Sequence, residues 1–385
     1  MHQNRVIYLL SFGGFVMGTA EIIVAGILGM IVKDLNVSVG LAGQLVSIYA
    51  AVFAIGSPIL ISLTAKVERR KLLLLSFAVF IIGNLIAYFS PNFTVLIVSR
   101  IVLASSASIF TVVALTVGSN LVAPEKRGNA IGIIIMGFST SLVVGAPLGT
   151  LIGEYWGWRS VFIFIAILAV FAMIGIYAFI PKLAGQEPVS FKAQFKVLKN
   201  KRIISGLLIT FFWMIGYQLM FTYISPFLQN SAGLNTNMIS AALLVCGIFA
   251  VVGSRAGGYG ADKWGINRTL IFSLLFHAVA LAILPWVAAT LIGAFFILAV
   301  WIGSAWTTTP ALQYYLVSLS PKSPDLALGL NNSVLQLGVA AGAAMGGWVV
   351  YQFSVISLGW VGAIAIIFGL FAALYSFSVK KAIEI

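Results

Sequence analysis

The chain is built of long apolar stretches broken by short polar turns. Reading between the breaks gives twelve stretches, at about 6–32, 41–65, 72–89, 94–120, 128–153 and 160–181, then 204–228, 236–260, 269–287, 290–317, 327–351 and 356–379. Each is long enough, at about 1.5 Å per residue, to carry a helix across roughly 30 Å of hydrocarbon. The pattern predicts an all-α membrane protein with twelve transmembrane helices. The first stretch is too long for a secretory signal and lacks an A-x-A-type site, so it reads as a retained helix. One long polar interruption, Lys182 to Ile203, carries six basic residues and divides the chain into two halves. The expected organisation is a six-helix bundle over 1–181, a linker over 182–203, and a second, pseudo-symmetric six-helix bundle over 204–385.

Composition agrees: 61% of residues are hydrophobic and 8% charged, against about 25% charged in soluble domains. The 22 basic residues outnumber the 9 acidic ones, which in a soluble protein would suggest a nucleic-acid partner. Here the polar turns account for the excess. Eighteen Lys and Arg fall in segments on the side of the termini, and only Lys33 and Arg159 in turns on the other. The positive-inside rule then places both termini in the cytoplasm, with the lipid bilayer as the partner of the charge and no nucleic acid. A lone cysteine, Cys246, excludes an internal disulfide and a cysteine-based metal cluster. The chain has no G-x-x-x-x-G-K-[ST] loop, so it encodes no P-loop for ATP. No metal or cofactor is expected. One buried acid and one buried histidine on distant helices do not make an enzyme's acid pair or nucleophile, so an enzyme is not expected either.

The halves echo one another. A basic turn, S-L-T-A-K-V-E-R-R-K at 62–71, follows the second stretch, and G-Y-G-A-D-K-W-G-I-N-R at 258–268 follows the eighth, an offset of 196 if Lys66 is set against Asp262. Small residues recur in the fifth stretch (Gly145, Pro147, Gly149, Gly153) and the eleventh (Gly338, Gly342, Gly346, Gly347). Such spacing lets helices approach closely, which suits an interface that slides or rocks. Two parallel six-helix repeats around a cleft are the architecture of an alternating-access transporter.

These residues carry a resemblance. The turn at 258–268 resembles the motif that major facilitator superfamily members carry between adjacent helices. Arg100 in L-I-V-S-R-I-V-L-A-S resembles the fourth-helix motif whose arginine is implicated in proton transfer. G-A-P-L-G-T-L-I-G-E-Y-W-G-W-R-S-V-F resembles the fifth-helix motif of the superfamily's drug:proton antiporters, placing Gly145, Pro147, Gly149 and Gly153 in the antiporter motif. There are departures: Lys66 stands where the first turn usually has Asp, Arg69 where it has Gly, and Leu103-Ala104 where the fourth helix has Gln-Gly. Stretches such as E-I-I-V-A-G-I-L, A-G-Q-L-V-S-I-Y-A and S-P-N-F-T-V-L-I-V-S-R are similar to purine base and nucleoside efflux pumps of Gram-positive bacteria. The resemblance implies a monomeric, proton-coupled exporter of a small-molecule substrate in the bacterial cytoplasmic membrane. Arabinose and multidrug exporters, chloramphenicol-type included, share these features, and a transporter-like receptor or sensor is the rival from another class. The family also implies gates in which the acid of each basic turn meets the opposite half. Asp262 would face Arg127, and Lys66 would face Asp325 in a charge-swapped pair, with Arg268 beside the second turn.

An ionisable group inside hydrocarbon costs at least about 2.5–3.5 kcal/mol, so each buried one needs a reason. Glu21 is the one acid deep in a stretch, and Arg100 lies at similar depth. Either Glu21 takes and releases the coupling proton beside Arg100, or the two form a permanent tie between helices. His277 reads as a neutral, hydrogen-bonded histidine, with a proton relay as the alternative. Arg255 reads as a snorkelling side chain. Trp213, Tyr217 and Phe221 recur at i, i+4, i+8 with Gln218 beside them; Trp306, Thr309 and Gln313 share one face, and Asn332 and Gln336 another. Rings that stack and amides that read an edge suit a planar heterocycle. Ordinary packing and interfacial aromatic belts are the competing explanation.

Overall fold

A computed structural model describes residues 2–122, 127–185, 200–319 and 324–378. Its elements are α1 (His2–Leu35), α2 (Val39–Leu63), α3 (Arg69–Tyr88), α4 (Phe93–Asn120), α5 (Arg127–Thr140), a π turn (Ser141–Gly145), α6 (Ala146–Trp156) and α7 (Trp158–Phe179) in the first half. The second half holds α8 (Lys201–Phe221), α9 (Ile224–Ala232), α10 (Thr236–Lys263), α11 (Ile266–Val287), α12 (Leu291–Leu319), α13 (Pro324–Gln352), a 3-10 turn (Val355–Ser357) and α14 (Leu358–Ser378). Twelve spans long and apolar enough to cross a membrane result, with α5, the π turn and α6 sharing the fifth. The molecule is an all-helical, multi-pass membrane protein. Most of the predicted linker, 186–199, lies outside the described residues.

Local chemistry explains the interruptions. Pro147 has no N–H for the carbonyl of Val143, and its ring would crowd that carbonyl in a regular helix. The backbone widens instead, and the N–H of Ala146 bonds back to Ser141 across a π turn. The stretch 204–228, predicted as one helix, breaks at Tyr223 (φ −108°, ψ 18°). Pro226 removes the next donor toward Thr222, while the Tyr223 hydroxyl donates to the carbonyl of Ala343 at 2.8 Å. Gly157 (φ 84°) and Gly265 (φ 88°) make the corners before α7 and α11 in a backbone region that side chains disfavour.

By contact density the chain divides into two units, Met1–Val189 with Asn235–Gly247, and Ser190–Leu234 with Ile248–Ile385. The first half of α10 groups with the N-terminal unit. There the Ser240 hydroxyl donates to the carbonyl of Pro147 at 2.9 Å, and a Cβ at Gly247 would collide with the backbone of Val143.

The glycine stripes lie inside the units, which corrects the expectation of a sliding interface. Gly145 and Gly149 have no room for a Cβ against Thr19 and Ile23 of α1, and Gly153 would meet Met30 at 3.0 Å. In the second unit a Cβ at Gly338 would lie 2.8 Å from Met214, and one at Gly342 2.7 Å from the carbonyl of Ile215, both on α8. The two bundles thus repeat one device: their fifth spans lie flush on their first. Such contacts fix a helix pair by close packing.

Candidate functional site

In the N-terminal unit, Arg100 is fully enclosed. Its Nη1 donates to the carbonyl of Ala20 at 2.7 Å, its Nη2 to that of Glu21 at 3.3 Å, and its Nε to that of Leu45 at 3.3 Å. The guanidinium carbon lies 4.3 Å from the centroid of the Tyr49 ring. A helical carbonyl keeps a second lone pair after its intrahelical bond, so a forked cation can bind it without breaking the helix. Arg100 therefore ties α1, α2 and α4 through main-chain oxygens. Glu21 is half-buried and close enough to interact electrostatically with Arg100 and Tyr49. The Tyr49 hydroxyl is buried with no hydrogen-bond partner among the described residues.

In the C-terminal unit the expected aromatics do meet. The rings of Trp213 and Tyr217 stack at 6.5 Å and 27°, and those of Tyr217 and Phe221 at 5.2 Å and 14°. Trp306 stands edge-on to Tyr217 at 6.4 Å, its indole N–H 3.4 Å from the Tyr217 oxygen. Trp301 backs the same ring at 5.6 Å and 33°. Trp213 Nε1 in this wall, and Thr309 Oγ1 three residues beyond Trp306 on α12, are buried without a partner among the described residues. Gln218 and Gln336 are buried as well, with the Gln218 amide donating to Thr222 Oγ1 at 2.9 Å. Gln313 and Asn332 are exposed. The neighbour Asn331 is the enclosed amide, and its Oδ1 accepts from the Thr210 hydroxyl.

His277 is fully buried, and its Nε2 accepts the indole N–H of Trp301 at 3.0 Å, so the neutral, hydrogen-bonded form is the one in place. Sequence reasoning passed over Trp301 because it falls off the Trp306–Thr309–Gln313 face. It also treated Arg159 as a bare charge. Arg159 donates to Asp34 and, at 3.1 and 3.0 Å, twice to the carbonyl of Ser90, with its guanidinium 4.2 Å from the Trp158 ring centroid. Trp158 Nε1 donates to the same Asp34 oxygen at 3.1 Å. This clasp joins the ends of α1 and α3 to the start of α7.

Helix α3 begins at Arg69 after Glu68, and α11 begins at Ile266 after Gly265. The carbonyl of Leu183 accepts the first N–H of α3 at 2.9 Å. Lys66, Asp262 and Arg268 are exposed. The side chains of Arg127 and Asp325 lie outside the described residues.

Residues 10–324 match the sequence profile of the Major Facilitator Superfamily. An uncharacterized MFS-type transporter of Bacillus subtilis (strain 168), YbcL, is 39% identical over 378 residues, 98% of this chain and 97% of its own. A second from the same strain, YtbD, is 32% identical over 367 residues, 93% of this chain and 91% of its own. Among solved structures, a bacterial homolog of the human lysosomal transporter Spinster, inward-facing and occupied, matches with a TM-score of 0.75 and 16% identity. That match covers 98% of this chain and 96% of that one, a likeness of fold. The profile, the curated relatives and the twelve spans agree: the chain belongs to the Major Facilitator Superfamily, as a multi-pass membrane transporter and not an enzyme.

Proposed function

We propose that the chain is a proton-coupled exporter that works by alternating access in a bacterial cytoplasmic membrane, both termini inside. Its substrate is a small planar organic solute, with purine bases or nucleosides the best fit. It works as a monomer and draws on the proton gradient without a bound cofactor. The observation that carries the solute class is the aromatic wall of α8 and α12, where Trp213 Nε1 and Thr309 Oγ1 are buried without a partner. A buried donor left unmade costs about 1–3 kcal/mol. A flat ring carrying carbonyl or ring-nitrogen acceptors would stack on the wall and satisfy both donors. The residues proposed to face it are Trp213, Tyr217, Gln218, Phe221, Trp306, Thr309 and Gln336. Gln313 and Asn332 are left out because they are exposed.

Glu21 is the proposed proton carrier. It stands at the edge of the Arg100 cluster, where the guanidinium is already held by carbonyls, so the carboxyl can change its charge without releasing the helices. The test is counterflow of labelled hypoxanthine, adenosine, arabinose and chloramphenicol into proteoliposomes of the wild type and of Glu21→Gln. The expected result is exchange of hypoxanthine or adenosine by both proteins, and uphill efflux driven by a pH gradient in the wild type alone. Exchange of arabinose or chloramphenicol only would overturn the solute class, and gradient-driven efflux by Glu21→Gln would overturn the carrier.

A further inference from the structure

Behind the wall, α11 and α12 are joined by two polar rungs inside otherwise apolar packing. Thr308 donates to Ser273 Oγ at 2.9 Å, and Trp301 donates to His277 Nε2 at 3.0 Å. Ser273 and His277 are one turn apart on α11, and all four side chains are buried. An indole N–H can only donate, so His277 Nε2 must present a lone pair. A neutral imidazole then keeps its proton on Nδ1, and that nitrogen is buried with no partner among the described residues. The imidazole is thus oriented by one bond, the one to Trp301. Trp301 heads the fully buried side chains in size, and it lies 5.6 Å from the Tyr217 ring. In an interior packed at crystal density, a displaced indole has nowhere to go except into the rings it touches.

We infer that His277 is a positioning residue for the solute wall. Fixed as its Nδ1–H tautomer, it anchors the indole of Trp301, and Trp301 sets the plane and depth of Tyr217. The inference rests on the wall of α8 and α12 receiving the solute, as proposed above. His277 itself is enclosed and does not touch the solute, so its effect is on affinity, through Trp301. A leucine at 277 would fill the space without accepting the indole N–H, and a glutamine would keep an acceptor.

The experiment uses the full chain in two arms. The chain has two histidines, so His2→Gln leaves a single imidazole for nitrogen-15 spectra of the solubilised protein. The expected spectrum at neutral pH is the neutral Nδ1–H tautomer, with the Nε2 signal moving on Trp301→Phe. An Nε2–H tautomer, an imidazolium, or an Nε2 signal unmoved by Trp301→Phe overturns the anchor. That arm needs no solute, so it decides the anchor even if all four labelled solutes fail to exchange. In the second arm, His277→Leu raises KM for whichever of the four solutes exchanges by about tenfold with Vmax little changed, as loss of uniform binding does. His277→Gln stays within about threefold of the wild type, and in a Trp301→Phe background His277→Leu adds nothing. Equal KM changes for the leucine and glutamine variants, or full additivity with Trp301→Phe, would show that His277 only fills space. A normal spectrum with no exchange of any solute would leave the anchor standing and remove the proposed solute class.

Discussion

At the scale of single residues, the polar groups inside this membrane protein sort by whether the fold satisfies them. Arg100 directs its fork at three carbonyls and lies over a ring. That geometry ties three helices and engages the fork, whereas other buried groups keep an unfilled valence. Trp213 has one. Its indole N–H is buried and unpartnered among the described residues, while its ring stacks on Tyr217. Trp213→Phe keeps the ring and removes the donor. Apparent affinity for the exchanging solute should fall by about 3–10-fold, the worth of one hydrogen bond of about 1 kcal/mol, while Vmax holds. An unchanged affinity would mean the indole serves packing alone. The aromatic period at 213, 217 and 221 was legible in the sequence because stacking along a helix needs only spacing. Asn331 in place of Asn332 was not, because adjacent residues point about 100° apart and only the true helix phase decides which amide turns inward.

At the scale of elements, the spans were legible because length and hydropathy suffice to mark a bilayer crossing. Their small interruptions were only half legible: Pro147 and Pro226 are visible in the sequence, but whether a proline kinks, widens or ends a helix depends on what takes up the freed carbonyl. The glycine stripes were seen and misassigned, since spacing tells that a neighbour comes close but not which neighbour. The clasp of Asp34, Ser90 and Arg159 was missed because one of its partners is a backbone oxygen, which no side-chain pattern records. It makes a measurable claim. Asp34 and Arg159 are partly exposed, so Asp34→Asn should cost at most about 1 kcal/mol. Arg159→Ala also strips the Ser90 carbonyl of two donors and the Trp158 ring of its cation, and should cost about 1–3 kcal/mol. Unfolding midpoints in detergent would check the ranking. Equal losses would locate the strength of the corner in the ion pair instead.

At the scale of the molecule, α10 is divided between two packing units, which makes it the element at which the proposed alternating-access cycle can be tested. Residues Asn235–Gly247 group with the N-terminal unit and residues from Ile248 with the other. The first part is held by two contacts around Pro147. The carbonyl of Pro147 receives the Ser240 hydroxyl, and the π turn before Pro147 brings the backbone of Val143 against Gly247 so closely that no Cβ fits. The widened turn forced by a proline thus also makes the seat for a glycine of another helix. On the same helix Gly253 and Gly257 lie against the carbonyls of Gly303 and Thr307 of α12, so the second part is seated as tightly. Under the proposed alternating-access cycle one of these seats must open and re-form at each turnover. A bulky residue at 247 blocks the first seat and leaves the second intact. Gly247→Leu should therefore yield a protein with a lowered unfolding midpoint, in which exchange falls by at least about tenfold because one of the two states is lost. Gly247→Ala, with a smaller intrusion, should fall between. Wild-type exchange by Gly247→Leu would show that the seat between Val143 and Gly247 is not part of the cycle. A protein that no longer folds only when leucine is present, with alanine fully active, would place the glycine in assembly and not in transport.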